Sequence, residues 1–310
     1  MVMALPPKTM PLPVRQGMGD DPEEILRFAA DEVERDGAAL AILVDIRGGA
    51  ARALGTFMAI AADGRFCGYV SGGCVESAVA TEALQALDEG RDRMVKFGEG
   101  SPFFDIVLPC GGGITVAIHV LRDSEVLRQA LRHFAERQPV TAQYSPAKAA
   151  LALASDVTRR SGWQGGDFLA VRRPRTRVVV SGQTAEAMAV TRLAEASGYD
   201  VANYTAVDLR YGTAGLIDPF SAVVLLHHDL DLEAPALRLA LNSPAFYIGA
   251  LGSKRTHTRR LERLIDEGIP LSSFSRIKAP IGLFGPTRDS MSLAISVLAD
   301  ITAARIAAQL

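Results

Sequence analysis

The sequence predicts an α/β protein in two parts: an N-terminal α/β domain with glycine and cysteine loops, and a C-terminal domain built on a parallel sheet. The chain has 310 residues, more than one hydrophobic core usually organises. From Arg177 onward, short apolar runs alternate with amphipathic segments of helical length, the pattern of strands joined by helical crossovers. Before that point, two strings of small residues, Gly68 to Cys74 and Cys110 to Gly113, interrupt regular apolar segments. Hydrophobic residues make up 48% and charged residues 22%, enough apolar side chain to fill a core in water.

Residues 1–21 contain four prolines and no continuous apolar segment, so a mobile tail is expected there and not a signal peptide. Asp21-Pro22 then caps a helix to about Asp36, with Ile25, Phe28, Ala29 and Val33 on one face. Ala39 to Val44 reads as a buried strand. Phe57 to Ala61 and Phe66 to Val70 flank Asp63-Gly64, which marks a hairpin. Val75 to Leu87 has helical periodicity and stops before Gly90, while Ile114 to Val120 alternates as a strand. A helix from Glu125 to Arg137 and a strand from Val140 to Gln143 follow. Between Ser155 and Arg177 the periodicity fades around Gly162, Gly165, Gly166 and the basic run Arg172, Arg173, Pro174, Arg175. The boundary is therefore expected near Arg175, giving domains 22–174 and 175–310.

The second domain reads as strand (Arg177 to Val180), helix (Ala185 to Ser197), strand (Val201 to Tyr204), strand (Ala222 to Leu226), helix, strand (Phe246 to Ile248), helix and a long final helix. This order implies a Rossmann-like sheet with helices on both faces. The longest uncharged stretch, Ile106 to Leu121, contains Pro109 and is too short for a spanning helix, so no transmembrane segment is expected. Thirty-three basic against thirty-five acidic residues leave a charge of -2, too balanced to hold a polyanion, so neither nucleic acid nor a membrane surface is expected as a partner. Cys67, Cys74 and Cys110 are odd in number and lack C-x-x-C or zinc spacing, which fits a reducing cytoplasm with no disulfide framework and no metal site.

Gly68-Tyr69-Val70-Ser71-Gly72-Gly73-Cys74-Val75-Glu76 runs from a strand through small residues into a helix. Such a turn offers backbone N–H groups to a phosphate, and Ser71, Gly72 and Gly73 are its candidate cradle. Cys74 falls at the helix start, where a thiolate is favoured as nucleophile, soft metal ligand or sulfur acceptor; the alternative is a tight turn with a small buried hydrophobe. Cys110-Gly111-Gly112-Gly113 again offers open backbone, or else a bulge at a strand entry. Arg52, set between Gly49 and Gly55, is a candidate phosphate or carboxylate clamp or a solvated surface charge.

These segments, together with Tyr247-Ile248-Gly249-Ala250-Leu251-Gly252-Ser253 and Pro280-Ile281-Gly282-Leu283, resemble the XdhC/CoxI family in its motif order. The resemblance covers nearly the whole chain after the tail. It implies a maturation factor for xanthine and carbon monoxide dehydrogenases that binds the molybdenum cofactor as cargo, in molybdopterin or dinucleotide form. It further implies that such a factor assists sulfuration and delivers the cofactor to an apo molybdenum hydroxylase. A cysteine desulfurase and a second copy of the chain are candidate partners. Cys74 and Cys110 match the family's glycine-flanked cysteines, while Gly49 and Ala51 replace a Ser and a Pro ahead of Arg52. The rival reading is an NAD(P)-dependent oxidoreductase.

Val180-Ser181-Gly182-Gln183-Thr184-Ala185-Glu186-Ala187 stands where a dinucleotide fingerprint belongs. Gly182 and Ala187 fit, but Thr184 replaces the glycine that lets backbone approach a pyrophosphate. Asp208 reads as a turn residue more than a ribose ligand. His227, His228 and Asp229 follow a strand end, where parallel sheets bind ligands; adjacent histidines point apart, so packing of one and capping by Asp229 is an equal alternative. Gly252, Ser253, Lys254 and Arg255 open a helix and make a candidate anion site, whereas Arg259, Arg260 and Arg263 read as its solvated face. The expected arrangement is a carrier whose two domains hold a pterin phosphate between them.

Overall fold

The computed structural model describes residues 10–17, 19–101, 111–204 and 217–310. The chain divides into two units, residues 1–173 and 174–310.

In the first unit, Val14–Arg15 (β1), Ala38–Arg47 (β2), Phe57–Ala61 (β3), Arg65–Gly68 (β4), Arg93–Gly98 (β5) and Gly113–Val120 (β6) form a sheet in the order β1-β4-β3-β2-β6-β5. Successive side chains of β2 alternate between two cores. Ala39, Ala41 and Leu43 pack on Val79 and Ala83 of Glu76–Glu89 (α2). Leu40, Ile42 and Val44 pack with Ile25 and Ala29 of Pro22–Arg35 (α1) and Leu127 and Phe134 of Glu125–Ala135 (α3). A strand buried on both faces reads as an unbroken apolar run, which is why Ala39 to Val44 was legible. Asp21 caps α1 as expected, its carboxylate accepting from Glu24 N at 3.2 Å.

Three features depart from the sequence reading. Val14–Arg15, inside the expected tail, pairs in parallel with Arg65 and Phe66; Arg15 holds it there, with its guanidinium over Tyr69 at 4.2 Å and a bond to Gly68 O. Two residues are too few to show periodicity. The strand β5 is also new, and only Val95 and Phe97 of its six residues are buried. Finally, the segment of fading periodicity contains part of a second sheet: Val140–Ser145 (β7), Ala150–Leu153 (β8), Gly162–Gln164 (β9) and Asp167–Arg172 (β10), antiparallel in the order β8-β7-β10-β9. Gly165 and Gly166, both at positive φ, turn β9 into β10, the two-residue hairpin signal that a count of apolar residues passes over.

In the second unit, Arg177–Ser181 (β11), Asp200–Tyr204 (β12), Ser221–Leu225 (β13), Tyr247–Ala250 (β14) and Ile277–Lys278 (β15) form a wholly parallel sheet in the order β12-β11-β13-β14-β15. Ala185–Ala196 (α4) and Ser290–Ala307 (α7) cover one face through Val190, Ala194, Val297 and Ile301. Leu230–Leu241 (α5) and Lys254–Asp266 (α6) cover the other through Leu237, Ala240 and Leu264. This is the Rossmann-like arrangement the alternation predicts. α7 is long and apolar enough to cross a membrane by length and composition, but Leu293, Ala294, Val297 and Ile301 bury that apolar surface in the sheet's core.

Candidate functional site

The antiparallel pairing of the first sheet brings the end of β2, the end of β4 and the start of β6 to one edge. The loops leaving that edge therefore meet. A side chain on Gly112 would lie 2.4 Å from Arg47 O, one on Gly48 3.4 Å from the Gly112 Cα, and one on Gly72 3.3 Å from the Ala51 Cβ. The glycines are what permit these backbones to touch. The cluster unites Arg52, Ser71, Gly72, Gly73, Cys74, Gly111 and Gly112; Cys110, like Asp208, lies outside the described residues.

The Ser71 loop is closed by a residue that the sequence reading gave no role. Glu76, 1% exposed, accepts from Val70 N at 3.1 Å, Ser71 N at 2.8 Å and Val75 N at 3.2 Å, and from Ser71 Oγ at 2.9 Å on each carboxylate oxygen. Ser71 Oγ in turn accepts from Cys74 N at 3.2 Å. Of the expected cradle, Ser71 is thus bonded to the chain's own carboxylate, while the Gly72 and Gly73 amides lie outside that network. The signal was a carboxylate directly after the small-residue run. Arg52 braces the loop from the other side, donating Nε to Ser71 O at 3.1 Å and Nη1 to Asp20 at 2.6 Å. Helix α2 starts at Glu76, two residues beyond Cys74, so Cys74 stands ahead of the helix and is exposed. Cys67 differs: it is half-buried on β4, and burial pushes its thiol up to about 12, leaving it protonated and unreactive at neutral pH.

In the second unit, the strand order reverses direction between β11 and β13, the switch point where open α/β sheets bind ligands. There the two loops are bonded to each other. Ser181 Oγ and His227 Nε2 lie 2.9 Å apart, Thr184 Oγ1 donates to Leu226 O at 3.3 Å, and Gly182, at φ +141°, sits so close to Leu226 O that a Cβ would be 2.5 Å from it. Thr184 also caps α4 by accepting from Ala187 N at 3.1 Å. It therefore fills the position of the missing glycine with a cap. Burial lowers the pKa of His227, with His228 adding to the effect and Asp229 opposing it. His228 points elsewhere, 3.8 Å from Glu186, and Asp229 caps α5 through Asp231 N.

Ser253 caps α6, accepting from Thr256 N at 3.2 Å, and Gly252 at φ +124° packs on Thr256. Lys254 and Arg255 are exposed beside it. Arg260 is not part of a solvated face. It is 2% exposed, forks onto Glu233 at 2.5 and 3.0 Å, and donates to Leu251 O at 2.7 Å; the charges of both partners cancel where water is excluded. Helical spacing alone cannot tell this inward arginine from Arg259, which is exposed. A surface depression of 640 Å³, lined by His228, Asp229, Asp231, Arg259, Glu262 and Arg263 among others, carries both signs of charge and includes neither Ser253 nor Arg255.

Comparison with known proteins finds two family models along the chain. Residues 33–98 match the model of the XdhC and CoxI family, and residues 178–301 that of the XdhC Rossmann domain. The chain is 46% identical over 296 residues to the Escherichia coli (strain K12) protein named molybdenum cofactor insertion chaperone PaoD, covering 95% of this chain and 92% of that one. It is 27% identical over 266 residues to the uncharacterized protein YqeB of the same organism, spanning 42% of that longer chain. A crystal structure described as a xanthine dehydrogenase from Bacillus halodurans shares the fold, with a TM-score of 0.73 and 19% identity over 94% of this chain and 96% of that one. Two family models on successive parts of the sequence, and identity of this extent along nearly all of it, mean that the chain belongs to the XdhC and CoxI family.

Proposed function

We propose that this protein is a molybdenum cofactor insertion chaperone. It takes up the cofactor as cargo, assists its sulfuration and hands it to an apo hydroxylase of the xanthine or carbon monoxide dehydrogenase type. The observation that carries the reading is the 46% identity, over nearly the whole of both chains, to a protein named for that activity. The site geometry supports it. Glu76 and Arg52 hold the Ser71 loop from both sides, so the exposed Cys74 is presented from a fixed backbone. A thiol in that position is a soft donor suited to a thiolate-preferring metal or to sulfur exchange. Ser253 and Arg255 are the proposed contacts for the cofactor's phosphate, a cysteine desulfurase is the proposed source of sulfur, and the cytoplasm is the proposed compartment. In this reading the protein is a carrier and not a conventional enzyme. An oxidoreductase reading is disfavoured by Thr184, which stands where the fingerprint has the glycine that lets backbone approach a pyrophosphate.

The test is reconstitution of a purified apo hydroxylase with molybdenum cofactor and this protein. Cys74→Ser is expected to keep the fold, shown by an unchanged melting temperature, and to lower the yield of active hydroxylase. Equal activation by the variant would make Cys74 a structural residue. Mass spectrometry of small molecules purified with the protein, from cells making the cofactor, should find a pterin; a nicotinamide nucleotide in its place would favour the oxidoreductase.

A further inference from the structure

The long helix α7 meets its core with one side only. Leu293, Ala294, Val297, Leu298 and Ile301 recur at helical spacing against the parallel sheet. The opposite side carries Met291, Ile295, Ala299, Thr302 and Ile306 at the same spacing, with no charge among them. A helix on the surface of a protein in water ordinarily turns charged side chains outward, and this one does not. Its two ionisable residues lie elsewhere. Asp300 is buried and accepts from the Tyr247 hydroxyl at 2.8 Å, and Arg305 follows the buried Ile301 by one turn, with its Nε covered. A neighbouring loop widens the apolar face. Leu283 N donates to Ser296 O at 3.0 Å, while the Ser296 hydroxyl accepts from Phe284 N at 2.9 Å and donates to Phe284 O at 2.6 Å. The backbone is thereby fixed beside the residue that follows Ile295, and the side chains of Leu283 and Phe284 remain exposed.

The five large side chains of this face, Leu283, Phe284, Met291, Ile295 and Ile306, are between 44% and 66% exposed. At roughly 200 Å² apiece, they offer on the order of 500 Å² of apolar surface, an extent that commonly marks a site of association. The outward row is also symmetric about its middle. Met291 and Ile295 stand as far before the peptide bond between Leu298 and Ala299 as Ile306 and Thr302 stand after it. Two copies crossing antiparallel would set Met291 against Ile306 and Ile295 against Thr302, with the small Ala299 at the two-fold axis, where the helices come closest. The same crossing places Arg288, exposed just ahead of one helix, beside the carbonyl end of the other, where a cation is favourable. Two such faces together bury about 1,000 Å², the extent at which a specific interface becomes stable. We infer that the outward face of α7 pairs antiparallel with the same face of a second copy of this chain, forming a two-fold dimer. The pairing stands whether or not the chaperone reading does.

The experiment is sedimentation equilibrium of the full chain at micromolar concentrations, where a particle of twice 33.0 kDa is expected. Ile295→Glu sets a carboxylate from each copy into the interface without touching the core. It should raise the dissociation constant of the dimer by about a hundredfold or more and leave the far-ultraviolet dichroism unchanged. Met291→Glu and Ile306→Lys should each weaken dimers of their own kind, whereas an equal mixture of the two should pair again. In the mixed dimer the new glutamate faces the new lysine, and the other end keeps Met291 against Ile306. A parent that sediments as a monomer throughout the range overturns the proposal. So does a dimer that Ile295→Glu leaves intact, since it would lie on another face. Failure of the two folded variants to pair when mixed overturns the antiparallel crossing. If Ile295→Glu does not fold, the mixing experiment carries the test, because its substitutions lie at the helix ends. A monomeric parent whose complex with an apo hydroxylase is broken by Ile295→Glu would give this face to that partner, and the second copy would be excluded.

Discussion

Two turns in this molecule run from a strand through glycine and serine into a helix, and each has a buried glutamate nearby. In the first unit, Glu76 points into its own loop and is bonded to neutral donors, the amides of Val70, Ser71 and Val75 and the Ser71 hydroxyl. In the second, Glu233 supports the Gly252-Ser253 turn from α5 through Arg260, which also holds Leu251 O. The same string of small residues thus encloses a net negative charge in one place and rests on a neutralised pair in the other. The first turn holds a carboxylate of its own, whereas the second leaves Lys254 and Arg255 facing solvent.

Breaking the pair should give the larger effect. Arg260→Met strands the Glu233 carboxylate, which burial alone would hold above its usual range, and should cost about 3 to 5 kcal/mol in urea unfolding. The double variant Glu233→Leu with Arg260→Met should recover most of that loss, because two apolar side chains need no partner. If the double variant is no more stable than the single one, the pair is not an isolated charge couple. Glu76→Gln should cost less, about 1.5 to 3 kcal/mol, since the amide keeps the shape and part of the bonding. It should also change the rate at which a disulfide reagent labels Cys74; an unaltered rate would mean that the carboxylate does not set the geometry of the thiol.

Acid separates the units further. His227 and His257 both have pKa values lowered mainly by burial. A lowered folded value makes stability complete above the ordinary 6.5 and lost as the pH falls through the folded value. In the first unit, Asp92 is raised by burial but pulled down more strongly by bonds from His119 at 2.8 Å, Val120 N and Tyr144, with a net lowering from 3.8. Its contribution persists until the pH falls below that range. The second unit should therefore loosen first on acidification. Fluorescence of Trp163, the single tryptophan, reports the first unit and should change at lower pH than far-ultraviolet dichroism; coincident transitions would show that the units unfold together. The smallest effect belongs to Thr184→Gly, a few tenths of a kcal/mol for the lost cap. Calorimetry with NAD should detect affinity in the variant beyond that of the parent, and tight binding by the parent would show that Thr184 is no obstacle.

The elements most legible in the sequence were those whose burial is uniform. Strands β2 and β13 lie between two helical layers and read as continuous apolar runs. What escaped was partnership at a distance. β5 and β9 bury few of their side chains, so their strand character rests on backbone bonds to neighbours that a linear pattern does not contain. Arg260 looks like Arg259 until the helix is docked against α5. In the candidate site, the glycines marked where backbones approach each other, but the bonds of Glu76 to the Ser71 loop were not legible, because a carboxylate at a helix start does not of itself show in the sequence that it folds back onto the loop before it.

The short strand β1 has a bearing on how the protein behaves in bulk. The outer side of β4 would otherwise expose backbone donors and acceptors at the rim of a sheet, a template on which other chains can add strands and aggregate. Val14–Arg15 occupies that rim for two residues, and Arg15, clasped between Phe66 and Tyr69, keeps it in place. Versions of the chain trimmed to begin at the first helix, a natural choice for crystallisation, would open that rim to strand addition by other chains.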